Sequence, residues 1–314
     1  MSDLIEVTRS FRSMNTDVEA IICQPVDQQI TAEKALSHVQ SIFAEVETAL
    51  SRFSMTNELS RLNQSGGIPF TASHHLFIVV SAAKAAANFT GGIYDPTILP
   101  DLLAAGYDRS FEKLSDDPDS PLYQLNIRFN WRDIILDAEK SAVTLPAGCG
   151  LDLGGIAKGW TVDRVSEELK NTSGFAVNAG GDMFLGGNRA DGSLWSVGVA
   201  DPLHPALNLT VLELTNCAVC TSSTTRRNWW RSGIYGHHLI DPRSGKPAVS
   251  AVISATVIAE TAVKAEIIAK TALILGPVEG MELIESQNGV KGILALETGE
   301  MLQSKNCREV EGVF

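Results

Sequence analysis

GLDLGGIAKGWTVDRV, residues 150–165, is the stretch that says most about the fold. Its apolar start predicts a strand ending at Leu153, the glycines at 154 and 155 allow a tight turn, and a helix follows. N–H groups at a helix start, with Lys158 nearby, suit a phosphate, and Asp152 could accept hydrogen bonds from a ligand. A plain strand-to-helix turn explains the same residues, and the spacing matches neither the P-loop nor G-x-G-x-x-G.

Strand-like segments lie on both sides of this stretch. The clearest are VEAIICQP (18–25), FNWRDIILDAEKSAVTLP (129–146), GFAVNAGGDMFLGG (174–187), LNLTVLELTNCAVCTSS (207–223) and GVKGILALETGEMLQ (289–303). Several contain short turn sequences, which predict hairpins, and DAEK is the expected turn of the second segment.

Helical periodicity marks four segments, one of which continues the helix of the opening stretch. They are residues 31–53, 73–92, 154–171 and 260–276. Helices among many hairpin-like strands predict an α+β fold rather than a doubly wound parallel sheet. We expect one domain over residues 1–314, with two lobes joined by a polar, turn-rich connection near 108–126.

Composition limits the kinds of partner the protein can bind and the cellular compartment expected for it. The chain has 314 residues and a formal net charge of −12, which argues against nucleic acid, because binding DNA or RNA needs clustered cations. Its first 20 residues lack the apolar core of a secretory signal, and no apolar run is long enough to span a membrane. Cys217 and Cys220 form a single C-x-x-C, for which buried, reduced thiols are expected. A cytoplasmic protein is the natural interpretation.

Three other segments carry residues that could bind a ligand or take part in catalysis. In VNAGGDMFLGG (177–187), Asp182 could bind or orient a ligand, or could close an ordinary turn. In HHLIDPRSGKP (237–247), His238 is a candidate acid or base, because histidine titrates near neutrality, but it could equally be an ordinary strand-end residue. CTSSTTRRNWW (220–230) could hold a phosphate and stack a flat ring, or run as a turn into a core strand.

Taken together and in this order, these segments resemble the FAD:protein FMN transferase family, also called the ApbE family. The resemblance runs from SMNTDVEA (13–20) to TALILG (271–276). It includes ALSRFSMTNELSRLN (49–63), GGIYDPTILP (91–100), LDLGGIAKGWTVDRV (151–165), VNAGGDMFLGG (177–187), VCTSSTTRRNWW (219–230) and HHLIDPRSGKP (237–247).

This resemblance implies a two-lobed α+β fold with a flavin cleft between the lobes. It implies an enzyme that takes FAD as donor, attaches FMN to a Ser or Thr of a target flavoprotein and releases AMP. His238 matches the histidine proposed to assist the transfer. The positions that match the family's FAD contacts are Met14, Phe53, Ile93, Tyr94, Asp95, Asp152, Lys158 and Ile240.

The family's Mg²⁺ site is where this chain departs from the pattern. The resemblance assigns metal ligands to the Gly155 carbonyl and to Glu266, which stands where the family has Asp. Lys270 stands where the family has Thr, and an ammonium cannot ligate a cation. Glu266 and Lys270 could be a simple i, i+4 ion pair. Alternatively, Lys270 could replace the metal as the charge that meets the diphosphate, or Mg²⁺ could still bind through Glu266, Gly155 and phosphate oxygens.

Two functions follow from these alternatives, and hydrolysis of FAD to FMN and AMP is a third that related proteins suggest. The first is a working flavin transferase, in which Lys270 joins His238 among the catalytic residues. The second is an FAD-binding protein with weak or no transfer, because the metal ligands are altered.

Overall fold

The protein is described here by a computed structural model that covers residues 4–114, 128–231 and 234–308. Within these residues the chain forms two compact units. The first contains the chain up to Glu45, Lys158–Ser222 and the chain from Ala251 onward; the second contains Val46–Ala157 and Ser223–Ser250. Each unit is therefore assembled from segments that lie far apart in the sequence.

The α+β class is confirmed. In chain order, the strands are β1 (Leu4–Ser13), β2 (Thr16–Pro25), β3 (Phe70–Thr71), β4 (Ile135–Asp137), β5 (Ala142–Thr144), β6 (Gly174–Ala179), β7 (Asp182–Gly187), β8 (Trp195–Ala200), β9 (Asn208–Leu214), β10 (Cys217–Ser223), β11 (Asn228–Arg231), β12 (Ile234–His237), β13 (Ile240–Asp241), β14 (Lys246–Pro247), β15 (Val252–Ala259), β16 (Lys291–Leu296) and β17 (Met301–Gln303). The α-helices are α1 (Gln29–Leu50), α2 (Glu58–Asn63), α3 (His74–Phe89), α4 (Leu99–Ala104), α5 (Ala157–Leu169), α6 (Ala262–Leu275), α7 (Pro277–Ser286) and α8 (Lys305–Arg308).

An eight-stranded sheet forms the centre of the first unit. Its strand order is β1-β2-β6-β7-β10-β15-β16-β17. The pairs β1–β2, β2–β6, β6–β7, β7–β10, β15–β16 and β16–β17 are antiparallel. The inner strands β6, β15 and β16 are buried along most of their length, whereas the edge strand β1 alternates between half-buried and exposed residues. Such continuous burial means that the middle of the sheet is covered on both faces.

Two neighbouring residues of β10 identify the layers that cover the sheet. Val219 packs with Trp195 and Val197 of β8 in one apolar cluster, so the β8–β9 ribbon covers that face. The next side chain, Cys220, points to the opposite face, as successive strand residues do. Its thiol donates to the carbonyl of Ala262, the first residue of α6, at 3.3 Å. Helix α6 therefore covers the second face.

The second unit combines short sheets with helices. It contains the three-stranded sheet β3-β5-β4 and the ribbons β11–β12 and β13–β14. Helix α3 begins where the Ser73 hydroxyl accepts from the Leu76 N–H at 3.3 Å, a typical N-cap. The residues that α3 buries recur three or four apart, as on one face of an amphipathic helix: Leu76, Val79, Val80, Ala83 and Ala87.

Most predicted elements are confirmed by the structure. The hairpins β4–β5, β6–β7 and β16–β17 lie where the turn signals predict them, and DAEK joins β4 to β5. The four predicted helices correspond to α1, α3, α5 and α6. Strand β1 and helix α7 were not predicted.

The predicted strand ending at Leu153 is wrong. Residues 151–153 lie in no sheet, because other partners already satisfy their backbone groups. The Leu151 N–H donates to Asn63 Oδ1 at 2.8 Å, and Asn63 Nδ2 donates to the Leu151 carbonyl at 2.9 Å. The Asp152 N–H donates to the Pro96 carbonyl at 2.8 Å. This segment is apolar because it is buried, and not because it pairs with a strand.

The single run predicted over 207–223 is also wrong. It forms two strands in different sheets: β9 pairs with β8, and β10 lies in the eight-stranded sheet. Asn216 has a φ of +52°, a left-handed conformation that asparagine tolerates better than most residues. The chain leaves one sheet for the other at this residue.

Residues 115–126 of the predicted polar connection lie outside the described residues. Its described beginning is not wholly a surface segment, because Phe111 and Leu114 pack against a buried cluster of the second unit. None of the five cysteines forms a disulfide, and Cys217 and Cys220, three apart in β10, point to opposite faces of the sheet. Among the described helices, none is both long and apolar enough to cross a membrane.

Candidate functional site

Four ionisable side chains meet in the first unit: Lys158, Asp182, Glu266 and Lys270. The Lys158 ammonium contacts the Asp182 carboxylate and lies 3.4 Å from Glu266 Oε1. The Lys270 ammonium lies 3.8 Å from the same Glu266 oxygen. The two carboxylate side chains keep 4% of their surface exposed, against 16% for Lys158 and 14% for Lys270. We call this group the charge cluster.

Three elements position the charge cluster. Lys158 lies in the first turn of α5, Asp182 begins β7, and Glu266 and Lys270 lie one turn apart on α6. The Gly159 N–H donates to Glu266 Oε2 at 3.0 Å. A Cβ at position 159 would come within 2.8 Å of that oxygen and 2.9 Å of the Ala262 carbonyl oxygen. Only glycine therefore lets α5 and α6 approach this closely.

Asp163 holds the beginning of α6 against α5. Its two carboxylate oxygens accept from the N–H groups of Ala262 at 2.6 Å and Val263 at 2.9 Å. These are groups that a helix cannot satisfy internally. Burial raises the pKa of the Asp163 carboxyl to about 6, although the two N–H groups oppose the shift. The contact fixes where the first turn of α6 begins, and so where Glu266 and Lys270 lie.

Burial also raises the pKa of the Asp182 carboxyl above its usual range. The Lys158 ammonium opposes that shift, and the negative charge of Glu266 adds to it. A carboxylate this deeply buried is stable only with a paired cation. Lys158 is thus required by the fold.

A second group of side chains surrounds Arg52 in the second unit. Arg52 Nε lies 2.5 Å from Asp152 Oδ2, and its Nη2 donates to the Tyr107 carbonyl at 3.0 Å. The guanidinium lies 4.4 Å from the Phe53 ring centre and 4.8 Å from the Tyr107 ring centre. Asp152 Oδ1 also accepts from the Gly154 N–H at 2.9 Å. Of the FAD-contact positions implied by the resemblance, Phe53 and Asp152 are brought together here.

Aromatic rings extend this group. Tyr107 stacks on Trp229 with ring centres 5.1 Å apart, and the Trp229 indole N–H donates to the Ala105 carbonyl at 2.9 Å. Ile240 is buried in the same apolar cluster as these two rings. Phe53, whose ring meets Tyr107 edge-on at 5.9 Å, is 39% exposed and so presents an aromatic surface to solvent.

Asp95 has a structural role in the fold. Its carboxylate accepts from the Thr97 N–H at 2.9 Å, the Thr97 hydroxyl at 2.7 Å and the Trp131 N–H at 3.0 Å. Burial raises its pKa despite these hydrogen bonds. Its predicted neighbours Ile93 and Tyr94 are half-buried and buried. The same loops line a cavity of ≈ 220 Å³, to which Arg132 and Arg243 contribute.

Adjacent histidines 237 and 238 differ in their surroundings. His237 is buried, its Nε2 lies 3.0 Å from the Ala248 carbonyl oxygen, and its Nδ1 accepts from the Leu239 N–H at 3.3 Å. Both ring nitrogens are thus bound to the backbone. His238 is half-buried, and its Nδ1 lies 3.4 Å from the Arg227 carbonyl oxygen. Of the two, His238 is the better candidate for proton transfer.

Two predicted residues lie in turns. Met14 and Asn15 have φ values of +51° and +56°, which makes the β1–β2 connection a two-residue type I′ turn. Asn15 fits because asparagine tolerates this conformation. Gly155 lies in the turn immediately before α5.

The charge cluster does not fit a divalent cation. Mg²⁺ takes oxygen ligands in near-octahedral geometry, and Glu266 is the only predicted side-chain ligand. Glu266 Oε1 lies near two ammonium groups, and Oε2 accepts a backbone N–H. Within residues 4–114, 128–231 and 234–308, no three His, Cys, Asp or Glu side chains are arranged to hold a metal.

Sequence reasoning missed Arg52, Gly159 and Asp163. Arg52 binds a carboxylate 100 residues away in the chain, and Asp163 binds an N–H group 99 residues away. No local spacing links such partners. Gly159 carries a weak signal, since glycine inside a predicted helix often permits a close packing contact.

These features define the class of protein: it is an α+β protein in which one strand and two helices supply the residues of the charge cluster. The model of the ApbE family matches residues 14–294. FAD:protein FMN transferases are among the similar proteins. The one from Haemophilus influenzae is 28% identical over 88% of this chain and 83% of its own length, and the one from Treponema pallidum is 30% identical over 82% and 76%.

Solved structures agree in fold. The ApbE protein of Thermotoga maritima superposes with a TM-score of 0.83, covering 98% of this chain and 99% of its own, at 24% identity. The flavin transferase ApbE of Vibrio cholerae gives a TM-score of 0.80 with the same coverage, at 22% identity. The chain belongs to the ApbE family.

Proposed function

We propose that the protein transfers FMN from FAD to a Ser or Thr hydroxyl of a target flavoprotein, with release of AMP. The family match over residues 14–294 carries this proposal, supported by relatives named FAD:protein FMN transferase. The acceptor oxygen bonds to the FMN phosphorus, the bond from that phosphorus to the AMP oxygen breaks, and the hydroxyl proton passes to a base. Such a reaction depends mainly on positioning and on charge neutralisation.

Lys158 is the proposed contact for the diphosphate. It lies in the first turn of α5, and its side chain keeps 16% of its surface exposed. Negative charge that develops on the departing AMP would be stabilised by this fixed cation. The exposed ring of Phe53, beside Tyr107 and Trp229, supports a role in stacking against a flat ring of FAD. No step here uses a metal.

His238 is the proposed base. A proton on Nδ1 would be donated to the Arg227 carbonyl, 3.4 Å away, and that tautomer leaves the basic lone pair on Nε2. His237 is unsuited to the role, because both of its nitrogens bind the backbone.

The test measures AMP release and covalent flavin together. The protein is incubated with FAD and an acceptor protein carrying a Ser or Thr target; AMP is measured by chromatography and labelled acceptor by in-gel flavin fluorescence. His238→Asn should lower both by about 10²–10⁴-fold, the usual contribution of a general base. His204→Asn, at a histidine whose side chain is 69% exposed, is the matched control and should leave both unchanged. Absence of AMP with the unaltered protein would overturn the proposal.

A second candidate function is FAD binding with weak or no transfer. The Lys270–Glu266 ion pair favours it, because this pair lies where the resemblance implies a metal. If the altered metal ligands are the cause of weak transfer, the double change Glu266→Asp/Lys270→Thr should raise turnover in the presence of Mg²⁺. If the metal ligands do not limit the rate of transfer, the same double change should leave turnover unchanged. The cytoplasmic location stays a prediction.

A further inference from the structure

The charge cluster exposes its lysine side chains more than its carboxylates. It contains two ammonium groups and two carboxylates, so its formal charges cancel. The carboxylates keep only 4% of their side-chain surface, whereas Lys158 and Lys270 keep 16% and 14%. A ligand that arrives from solvent therefore reaches the lysine side chains more readily than the carboxylates.

The two ammonium groups are close enough to bind one ligand. Both nitrogens are near the same atom, Glu266 Oε1, at 3.4 Å and 3.8 Å. They cannot be more than the sum of these distances, 7.2 Å, apart. A diphosphate carries oxygens on two neighbouring phosphorus atoms, so each ammonium can meet a different phosphoryl group.

Contacts with neighbouring residues hold this pair of lysines in place. Lys158 is held through the Asp182 carboxylate, and Lys270 lies one turn after Glu266, which is fixed by the Gly159 N–H. Asp163 fixes the start of the helix that carries Lys270. The positive charges are therefore already in position before any ligand binds, which lowers the cost of binding.

We infer that Lys270, together with Lys158, binds the FAD diphosphate in place of a divalent cation, so that FAD binding needs no metal. This inference rests on the proposed function, because it takes FAD as the ligand. It deepens that function by naming the side chains that donate hydrogen bonds to the diphosphate. An ammonium has three donors and no acceptor, so it suits phosphate oxygens and repels a cation at the same position.

The test is equilibrium binding of FAD to the flavin-free protein, followed by flavin fluorescence. Titrations are run with excess EDTA and with excess MgCl₂. The expected dissociation constant differs by less than about threefold between the two conditions, since a fixed ammonium already supplies the charge. Riboflavin, which has no phosphate, is titrated in parallel.

Two threonine variants distinguish the loss of a specific phosphate contact from the loss of any positive charge on α6. Lys270→Thr should weaken FAD binding in EDTA by about tenfold or more, the usual effect of losing a hydrogen bond to a charged group. Riboflavin binding should not change. Lys264→Thr removes the same charge from the same helix, but Lys264 pairs with Glu260 at 3.0 Å outside the cluster. It should bind both ligands as the unaltered protein does.

Each outcome has a distinct meaning. FAD binding that improves tenfold or more with MgCl₂ overturns the inference and leaves the proposed function standing. The inference is also overturned if Lys270→Thr leaves FAD binding unchanged. It is overturned as well if Lys270→Thr weakens the binding of FAD and of riboflavin together. If FAD binds in neither condition, the proposed function itself fails. The titrations of the unaltered protein remain decisive even if Lys270→Thr does not fold.

Discussion

His237 and His238 show how strongly surroundings decide the chemistry of a single residue. One imidazole is buried with a backbone group at each nitrogen, and the other is half-buried beside the Arg227 carbonyl. The Leu239 N–H points at His237 Nδ1, so a proton there would face another donor. His237 is therefore a neutral Nε2–H tautomer that closes a loop onto the Ala248 carbonyl.

Protonation of His237 should destabilise the protein in acid. Burial lowers the pKa of His237 below its usual value, so the unfolded chain binds this proton more readily. The stabilising contribution is complete above about pH 6.5 and is lost as the pH falls. Urea unfolding at about pH 8 and about pH 5.5 should show a smaller loss of unfolding free energy for His237→Asn than for the unaltered protein. His204→Asn is the exposed control, and equal losses in all three proteins would contradict this account.

At the scale of elements, the contact between α5 and α6 organises the charge cluster. Gly159 lets the helices approach, Asp163 receives the first N–H groups of α6, and Glu266 accepts from Gly159. The contact is formed by residues that bury little apolar surface. Its specificity comes from shape and from hydrogen bonds.

Gly159→Ala tests this contact. In an exposed helix the change would stabilise the protein by about 1 kcal/mol. Here the new Cβ would come within 2.8 Å of Glu266 Oε2, so we expect a loss of about 1–3 kcal/mol in unfolding free energy instead. Arg164→Ala on the exposed side of the same helix should change it by less than about 0.5 kcal/mol. A stabilised Gly159→Ala protein would show that the helices can move apart at no cost.

At the scale of the whole molecule, the sequence predicts secondary-structure elements better than it predicts which distant residues contact each other. Hairpins β6–β7 and β16–β17 have their turn residues in place, so their pairing is local and predictable. The segment at 151–153 misleads because the backbone of Leu151 bonds to the Asn63 side chain and not to a neighbouring strand. Arg52 and Asp152 meet only after folding, and no pattern within one element encodes that contact.

The interleaved units predict that the chain cannot be divided at residue 157. A chain ending at Ala157 would keep only β1 and β2 of the eight-stranded sheet, and the second unit would lack Ser223–Ser250. An isolated two-stranded hairpin is marginally stable at best. We expect no cooperative thermal transition from this fragment by circular dichroism, while the full chain shows one. A cooperative transition would mean that residues 46–157 fold without their partner segment.

The five buried or half-buried cysteines have a practical consequence for labelling. Burial raises the pKa of Cys23 and Cys217 to about 11 and that of Cys149 to about 12, and the pKa of Cys220 lies well above its usual value. Maleimides react with thiolates, which are scarce at neutral pH under these conditions. A single cysteine introduced at an exposed position would then carry a fluorescent dye almost alone. None of these four thiols would need to be removed first, and the fifth, Cys307, is buried.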